Sequence, residues 1–420
     1  MISEINQRIT QLNNGEVPSG YKKTSVGIVP NEWTEHTLGD IFIFKNGLNK
    51  EKGAFGQGTP IVNYTDVWKK RGLRAKDING RVALSEKEIQ TYEAKAGDVF
   101  FTRTSETIDE IGYSSVLLED VENAVFSGFV LRARPYNDLV HSEYNQYCYS
   151  EPLMRQEIIK RSSMTTRALT SGPMLSQVAI NLPSQREQTK IAEILMKWDE
   201  AIELYDKLVS ILIIKRDAIV QKIVSANAEW KEYSLSDILQ EKNDYSQKNN
   251  EHVVLSSTKQ GIFYQSDYFD KQVASENNIG YKIVCRGDIV LSPQNLWLGN
   301  INYNDVFEIG IVSPSYKIFE IKSGYDKTLI STIMKQPSML HQYVLASEQG
   351  ASIVRRNLNM DLFYKIKIIL PSIEKQNQLG KIIETINKHI FLCKLQLENI
   401  KSQRKILQRY LLNGIVRVEV

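Results

Sequence analysis

Residues 182–191 read LPSQREQTKI, and residues 370–379 read LPSIEKQNQL. Each stretch predicts a strand end, a turn at proline and a helix start, because proline lacks a backbone donor and suits a strand end or a first helical turn. The same junction written twice predicts a duplicated module. Working outward, NEWTEHTLGDI (31–41) resembles AEWKEYSLSDI (228–238), with Trp33 matching Trp230, Leu38 matching Leu235 and Asp40 matching Asp237. AGDVFFTRTS (96–105) parallels RGDIVLSPQN (286–295), and the offset between copies falls in order from 197 to 190 to 188 residues. A repeat this long means two domains with connectors, since solenoid repeats run to a few tens of residues.

The helices after each LPS carry the sharpest pattern. From Ile191, steps of four and three select Leu195, Trp198, Ile202, Tyr205, Val209, Leu212, Arg216, Ile219 and Ile223. From Leu379 the same register selects Ile383, Ile386, Ile390, Cys393, Leu397, Ile400, Arg404, Leu407 and Leu411. This is a 3.5-residue apolar seam over about five heptads, narrow for a surface helix and suited to a coiled coil. Arg216 and Arg404 interrupt it at the same register, and snorkelling, a pair with an acid such as Glu384, or contact with a partner are open to them. Two equal seams predict an antiparallel pair, a rod of roughly 54 Å for about 36 residues, with one globular module at each end.

The remaining segments hold short apolar runs broken by Gly, Asn, Asp and Ser, which predicts α/β (mixed α+β) modules of short strands and polar loops. The expected order is an N-terminal segment (1–21, beginning with a short polar helix), module 1 (22–184), long helix 1 (185–227), module 2 (228–372) and long helix 2 (373–420). The fold class is thus two mixed modules separated by a long two-helix coiled coil, with a pseudo-two-fold internal repeat.

Composition narrows the function by exclusion. An apolar fraction of 42% and a charged fraction of 24% fit a water-exposed globular chain. The chain has no apolar run of membrane-spanning length and no signal-peptide pattern, so a cytoplasmic location is expected. The cysteines Cys148, Cys285 and Cys393 are scattered and odd in number, which predicts no disulfide or zinc framework. GxxxxGK(S/T), GxGxxG after a strand, HExxH and GxSxG are missing, and the five histidines show no ligand spacing. SPSY (313–316) approaches a methyltransferase motif but lacks its second proline, and reads as a strand exit. No catalytic residue, metal or cofactor is assigned to this chain. A net charge of +3 points to nucleic acid only if the basic residues gather on one face.

Polar loops at matching positions of the two copies supply candidates for DNA contact. In the first copy these are Asn63, Tyr64, Trp68, Lys69, Lys70, Arg71 and Arg74, then Arg103 and Thr104, then Arg161, Thr165, Thr166 and Arg167. The second copy offers Lys259, then Gln294, Asn295 and Trp297, then Gln349, Ser352, Arg355 and Arg356. Arg, Asn and Gln pair bidentately with guanine and adenine edges, and Lys, Ser and Thr hold phosphate. A solvated loop is the alternative for any single residue, and the matched placement favours the sets.

The duplicated order, with GYKKTSVGIVPNEW (20–33), AGDVFFTRTS and RGDIVLSPQN, and the two LPS junctions with Gln188 and Gln376, resembles the specificity subunit of type I restriction-modification systems. The resemblance spans nearly the whole chain. It implies a non-catalytic subunit whose modules each read one half of a bipartite, non-palindromic target on double-stranded DNA, while the helices fix the gap. It also implies docking of two methyltransferase subunits, which carry S-adenosylmethionine and methylate adenine, and recruitment of motor-nuclease subunits. The readings set beside it are the recognition half of another restriction-methylation enzyme, and a coiled-coil scaffold that binds protein only.

Overall fold

The structure is a computed structural model and describes residues 2–224, 230–268, 277–349 and 356–418. The chain forms two compact units, Met1–Leu204 with Leu397–Val420, and Tyr205–Gln396. Two helices of 40 residues, Gln185–Val224 and Ile373–Leu412, each contribute a stretch to both units. At 1.5 Å per residue each is about 60 Å long.

The first unit is built on a five-stranded sheet in the order Phe42–Asn46, Val130–Pro135, Val99–Thr102, Ser114–Leu117, Gly72–Leu73. All neighbours are antiparallel except the last pair. The strand Val99–Thr102 is buried throughout, which suits its continuous apolar run. Asp98 starts it: its carboxylate accepts the Lys95 backbone N–H at 2.8 Å and takes Arg134 on both oxygens at 2.7 Å. Gly97 precedes it at φ +86°, a left-handed turn that glycine adopts without strain. A separate two-stranded ribbon pairs Thr34–Thr37 with Ala179–Leu182, so the start and end of the module lie side by side. The Asp40 carboxylate caps the turn after Thr37, accepting its backbone N–H at 2.7 Å.

The opening junction now has a physical reading. Ala179–Leu182 ends at Pro183, and the Gln188 side chain reaches back one turn to donate to the Pro183 carbonyl at 3.0 Å. The same amide donates to the Leu139 carbonyl at 2.9 Å and accepts the His141 backbone N–H at 2.8 Å. Gln188 therefore ties helix to module.

The second unit repeats this frame. Its sheet runs Leu239–Lys242, Lys317–Ile321, Asp288–Leu291, Ile301–Tyr303, the order of the first four strands in the first unit, all antiparallel. Asp288 accepts the Cys285 backbone N–H at 2.8 Å and pairs with Lys242 at 2.9 Å, and Gly287 has φ +93°. Lys231–Ser234 pairs with Lys367–Leu370, and Asp237 caps the turn after Ser234 at 2.8 Å. Gln376 donates to the Pro371 carbonyl at 3.0 Å and accepts the Asp326 backbone N–H at 3.2 Å. The two LPS junctions are thus the same device.

The helices pair antiparallel in each unit. In the first, Arg404 meets Asp199, while Ile191 and Leu195 share a core with Leu411 and Leu412. In the second, Val209 packs with Ile386 and Ile390, and Val220 shares a core with Ile383. Every described seam side chain from Ile191 to Ile219 and from Leu379 to Leu411 is buried or half-buried. The Ile223 side chain lies outside the described residues.

Two expectations need correcting. Glu384 is exposed and does not meet a seam arginine: Arg216 pairs with Asp217 at 2.8 Å and reaches Asn387 at 3.4 Å, and Arg404 pairs with Asp199 at 2.8 Å. The antiparallel register carries Glu384 past Arg216. Also, the second long helix stops at Leu412 rather than running to 420. Gly414 at φ +64° closes it, with Gly414 N–H bonded to the Leu411 carbonyl and Ile415 N–H to the Tyr410 carbonyl. That is a Schellman stop. Residues 413–418 return to the first module, where Gly414 and Ile415 carbonyls accept Tyr21 and Arg8. Among the described residues no helix is long and apolar enough to cross a membrane.

Candidate nucleic-acid interface

The candidates of the first unit fall into three places. The first is the exit of the central strand. Val99–Thr102 ends where Arg103 begins, and Thr104–Ser105 then pairs with Ala168–Leu169, which pairs with Ser163–Met164. A three-stranded sheetlet thereby gathers Arg103, Thr104, Thr165, Thr166 and Arg167. The turn at its tip is closed by the Thr165 N–H on the Arg167 carbonyl at 3.1 Å. Arg167 pairs with Glu106 at 3.0 Å, and both side chains stand mostly in water. Such an exposed pair is worth little and yields readily to a stronger anion.

The second place is the short helix Tyr64–Lys69, in a segment that sequence alone presented as a polar loop. Asp66 holds its first turn by accepting the Asn63 backbone N–H at 2.9 Å, while the Asn63 amide turns inward to the Ile61 carbonyl. Tyr64 faces Ser105 of the sheetlet, and burial pushes its phenol pKa up. At the other end, Trp68, Lys69, Lys70 and Arg71 line a cavity of about 590 Å³ with Asp109, Tyr113 and Arg155. Lys70 pairs with Asp77.

Arg74 lines an adjoining cavity with Lys69, Lys70 and Arg71 and pairs with Glu119 at 3.2 Å. The third place is Arg161, which donates to Gln177 at 3.1 Å. Sequence reading overlooked Arg155, which donates to the Gly112 carbonyl at 2.9 Å and stacks on Tyr113 at 4.7 Å. It fixes the turn under the sheetlet. No periodicity or motif marks it.

In the second unit, Asp288–Leu291 exits into Gln294 and Asn295, and the 3₁₀ turn Leu296–Leu298 carries Trp297. Arg356 comes to this exit from the segment before Lys367–Leu370, as Arg167 does before Ala179–Leu182. Its N–H meets the Gln294 carbonyl at 3.4 Å, and its guanidinium lies over the Trp297 ring at 4.8 Å. The buried Trp297 indole N–H has no hydrogen-bond partner among the described residues. Gln349 pairs through its backbone with Arg356. Ser352 and Arg355 lie outside the described residues, and Lys259 is an exposed hairpin-tip residue. Beneath the exit, Ser257, Asn300 and Asn302 interlock at 2.7–2.9 Å, and Lys335 donates to Asn302 at 2.7 Å. Burial brings the Lys335 pKa down to about 8.

Among the described residues no group of three His, Cys, Asp or Glu side chains is placed to hold a metal ion.

Comparison with known proteins fits this arrangement. The type I restriction modification DNA specificity domain matches residues 30–210. The type I restriction enzyme MjaX specificity subunit of Methanocaldococcus jannaschii is 22% identical over 95% of this chain and 97% of its own length. The EcoKI specificity subunit of Escherichia coli is 23% identical over 44% of this chain and 41% of its own length. The crystal structure of a type I system S subunit from M. genitalium shares the fold with a TM-score of 0.55 and 15% identity, covering 92% of this chain and 96% of that one. With its frame written twice, its paired helices and these likenesses, the chain is similar to type I restriction-modification specificity subunits, and residues 30–210 match their DNA specificity domain.

Proposed function

We propose that the chain is the non-catalytic DNA-recognition subunit of a type I restriction-modification complex, each unit reading one half of a bipartite target. The observation that carries this is the convergence of two segments at the same sheet position in both units: Arg103–Thr104 with Arg167 in one, Gln294–Trp297 with Arg356 in the other. Duplex reading needs side chains of this kind presented from a rigid base. The residue types differ between units, so the half-sites differ and the target is not a palindrome.

The paired helices set the gap and dock the methyltransferase subunits. Supporting this, Leu208, Ile211, Ile214, Phe391, Leu392 and Leu395 stand exposed on the helix pair of the second unit, away from the seam. Large apolar side chains left in water on a helix pair mark a candidate interaction surface. Adenine methylation with S-adenosylmethionine belongs to those partners, and cleavage to motor-nuclease subunits, all acting in the cytoplasm. The test is genome-wide adenine-methylation mapping with and without this gene, then with residues 22–184 exchanged for those of another family member. One half-site should change and the other persist. Changes in both halves would refute independent reading, and methylation by the purified chain with S-adenosylmethionine alone would refute a non-catalytic role.

A further inference from the structure

Three adjoining cavities of the first unit share one side chain, Arg71. The second of them, about 570 Å³, lies between the segment after the Tyr64–Lys69 helix and the helix pair. Its wall holds five cations, Arg71, Lys401, Arg404, Lys405 and Arg409, against two carboxylates, Glu151 and Asp199. Both carboxylates are already engaged. Asp199 takes Arg404 at 2.8 and 3.1 Å, and Glu151 accepts the Leu153 N–H at 2.7 Å and the Asn413 amide at 2.9 Å. Lys401 reaches outward to Glu398 at 3.0 Å. Arg71, Lys405 and Arg409 have no hydrogen bond or ion pair from their side chains among the described residues.

The spacing sharpens the imbalance. Lys401, Lys405 and Arg409 follow one another at i, i+4 and i+8, so like charges stack along one helix face for about 12 Å, an arrangement that destabilises a helix without a counter-charge. Arg71 faces this stripe. Its guanidinium is reached by water yet crowded by protein, and burial, reinforced by Arg404, lowers its pKa. A cleft whose two carboxylates are already engaged and which leaves three cations unpaired suits an anion.

The geometry points to a phosphate-binding cleft in which Arg71, Lys405 and Arg409 hold the DNA backbone beside the first half-site, contributing affinity without sequence. This rests on the DNA-recognition role proposed above. DNA is favoured over an acidic protein surface because the cavities are continuous with the recognition side: the helix that ends at Lys69 begins at Tyr64, which faces Ser105 of the sheetlet. The planar fork of arginine also suits phosphate bidentately.

The test uses the subunit assembled with its methyltransferase subunits, comparing wild type with Arg71→Gln/Lys405→Gln/Arg409→Gln and with Lys405→Gln alone. Wild type binding its mapped target above unrelated DNA establishes the parent reading, and failure there is failure of that reading only. Given it, the triple variant should bind target and unrelated DNA more weakly by the same factor, at least about tenfold. The slope of log affinity against log salt should flatten by about 0.9 for each phosphate no longer neutralised. The methylated sequence should be unchanged. Thermal stability of the single variant should hold or rise, since a like-charge repulsion is relieved. Unchanged affinity and slope in an assembled complex overturns the proposal. So does loss of discrimination at one base pair, or failure to co-purify methyltransferase subunits while DNA affinity is retained, which would make the cleft a protein-docking surface.

Discussion

The two units share a frame and differ at the surface it presents. In both, an aspartate starts the central strand, a second aspartate caps the turn before the first sheet strand, and a glutamine ties the long helix to the proline before it. At the strand exit the likeness ends. One unit presents Arg103 and Thr104 on a sheetlet with Arg167, the other a Trp297 turn covered by Arg356. Even within the frame, charges are replaced freely: Asp98 meets Arg134 from the adjacent strand, whereas Asp288 meets Lys242 from the sheet edge. What stays fixed is backbone geometry, and what varies is whatever backbone geometry does not require.

If the frame is equivalent, breaking it should cost the same in each unit. Gln188 and Gln376 are both buried. Replacing either with Ala leaves a proline carbonyl and a backbone N–H unsatisfied at about 1–3 kcal/mol each, so about 3 kcal/mol in all is expected, with the Leu139 carbonyl also freed in the Gln188 variant. Hydrogen exchange of sheet amides, read for each unit, should show each loss confined to its own unit and of similar size. A large loss in one unit and none in the other would break the equivalence.

The seam arginines give the contrasting case. Arg404 is buried and spans to Asp199 on the other helix, with its guanidinium 5.4 Å from the Tyr147 ring centre. Arg216 is more exposed and pairs mainly with its neighbour Asp217. Asp199→Ala should cost about 2–3 kcal/mol, less than a fully buried pair because Asp199 keeps partial contact with water. Asp217→Ala should cost under about 0.5 kcal/mol. Denaturant titration of the two variants checks this, and equal costs would mean that the shared register implies a shared role.

Arg167 and Arg356 test the proposed reading surface. Each mutated to Ala should weaken specific binding by about 1–3 kcal/mol if the side chain meets a base, and relax one half-site only. Arg356 leaves a stacked position on Trp297, so its loss should also perturb Trp297 fluorescence, whereas Arg167 leaves only an exposed ion pair. Equal loss on all sequences would reassign the residue to phosphate.

How much was legible follows the same division. The repeat, the strand starts and the helix seams were readable because spacing alone dictates them. Gln188 and Gln376 were visible as a pattern, but their bonds to Pro183 and Pro371 appear only once the junction is folded. The partner of Arg404 was hidden because an antiparallel register is not written in either helix. The Tyr64–Lys69 helix was missed because six residues between a strand and a glycine carry too little periodicity. The Arg71 cleft joins residues more than 300 positions apart, and no local signal exists for it.

The smallest expected effect separates the units by pH. Glu151–Pro152 opens a helix in the first unit and Gln336–Pro337 does so in the second; the residue before each pair is Ser150 in one and Lys335 in the other. Only the second unit therefore holds a lysine at this point. Burial lowers the Lys335 pKa from 10.5 to about 8. Between those values the unfolded chain binds the proton more than the folded one does, so stability rises with pH across that window. Below about 8 both states are charged and the folded state carries the whole burial penalty; above 10.5 both are neutral and none remains. Lys335→Met removes the group, so wild type should lose ground to the variant below pH 8 and recover between pH 8 and 10.5. The side chain keeps contact with water and its ammonium bonds Asn302 at 2.7 Å, so the recovery should be small. Hydrogen exchange read for each unit should place it in the second unit alone. A stability difference that stays flat across this window would show that water, not protein, sets the Lys335 charge, and would leave the units alike in this respect.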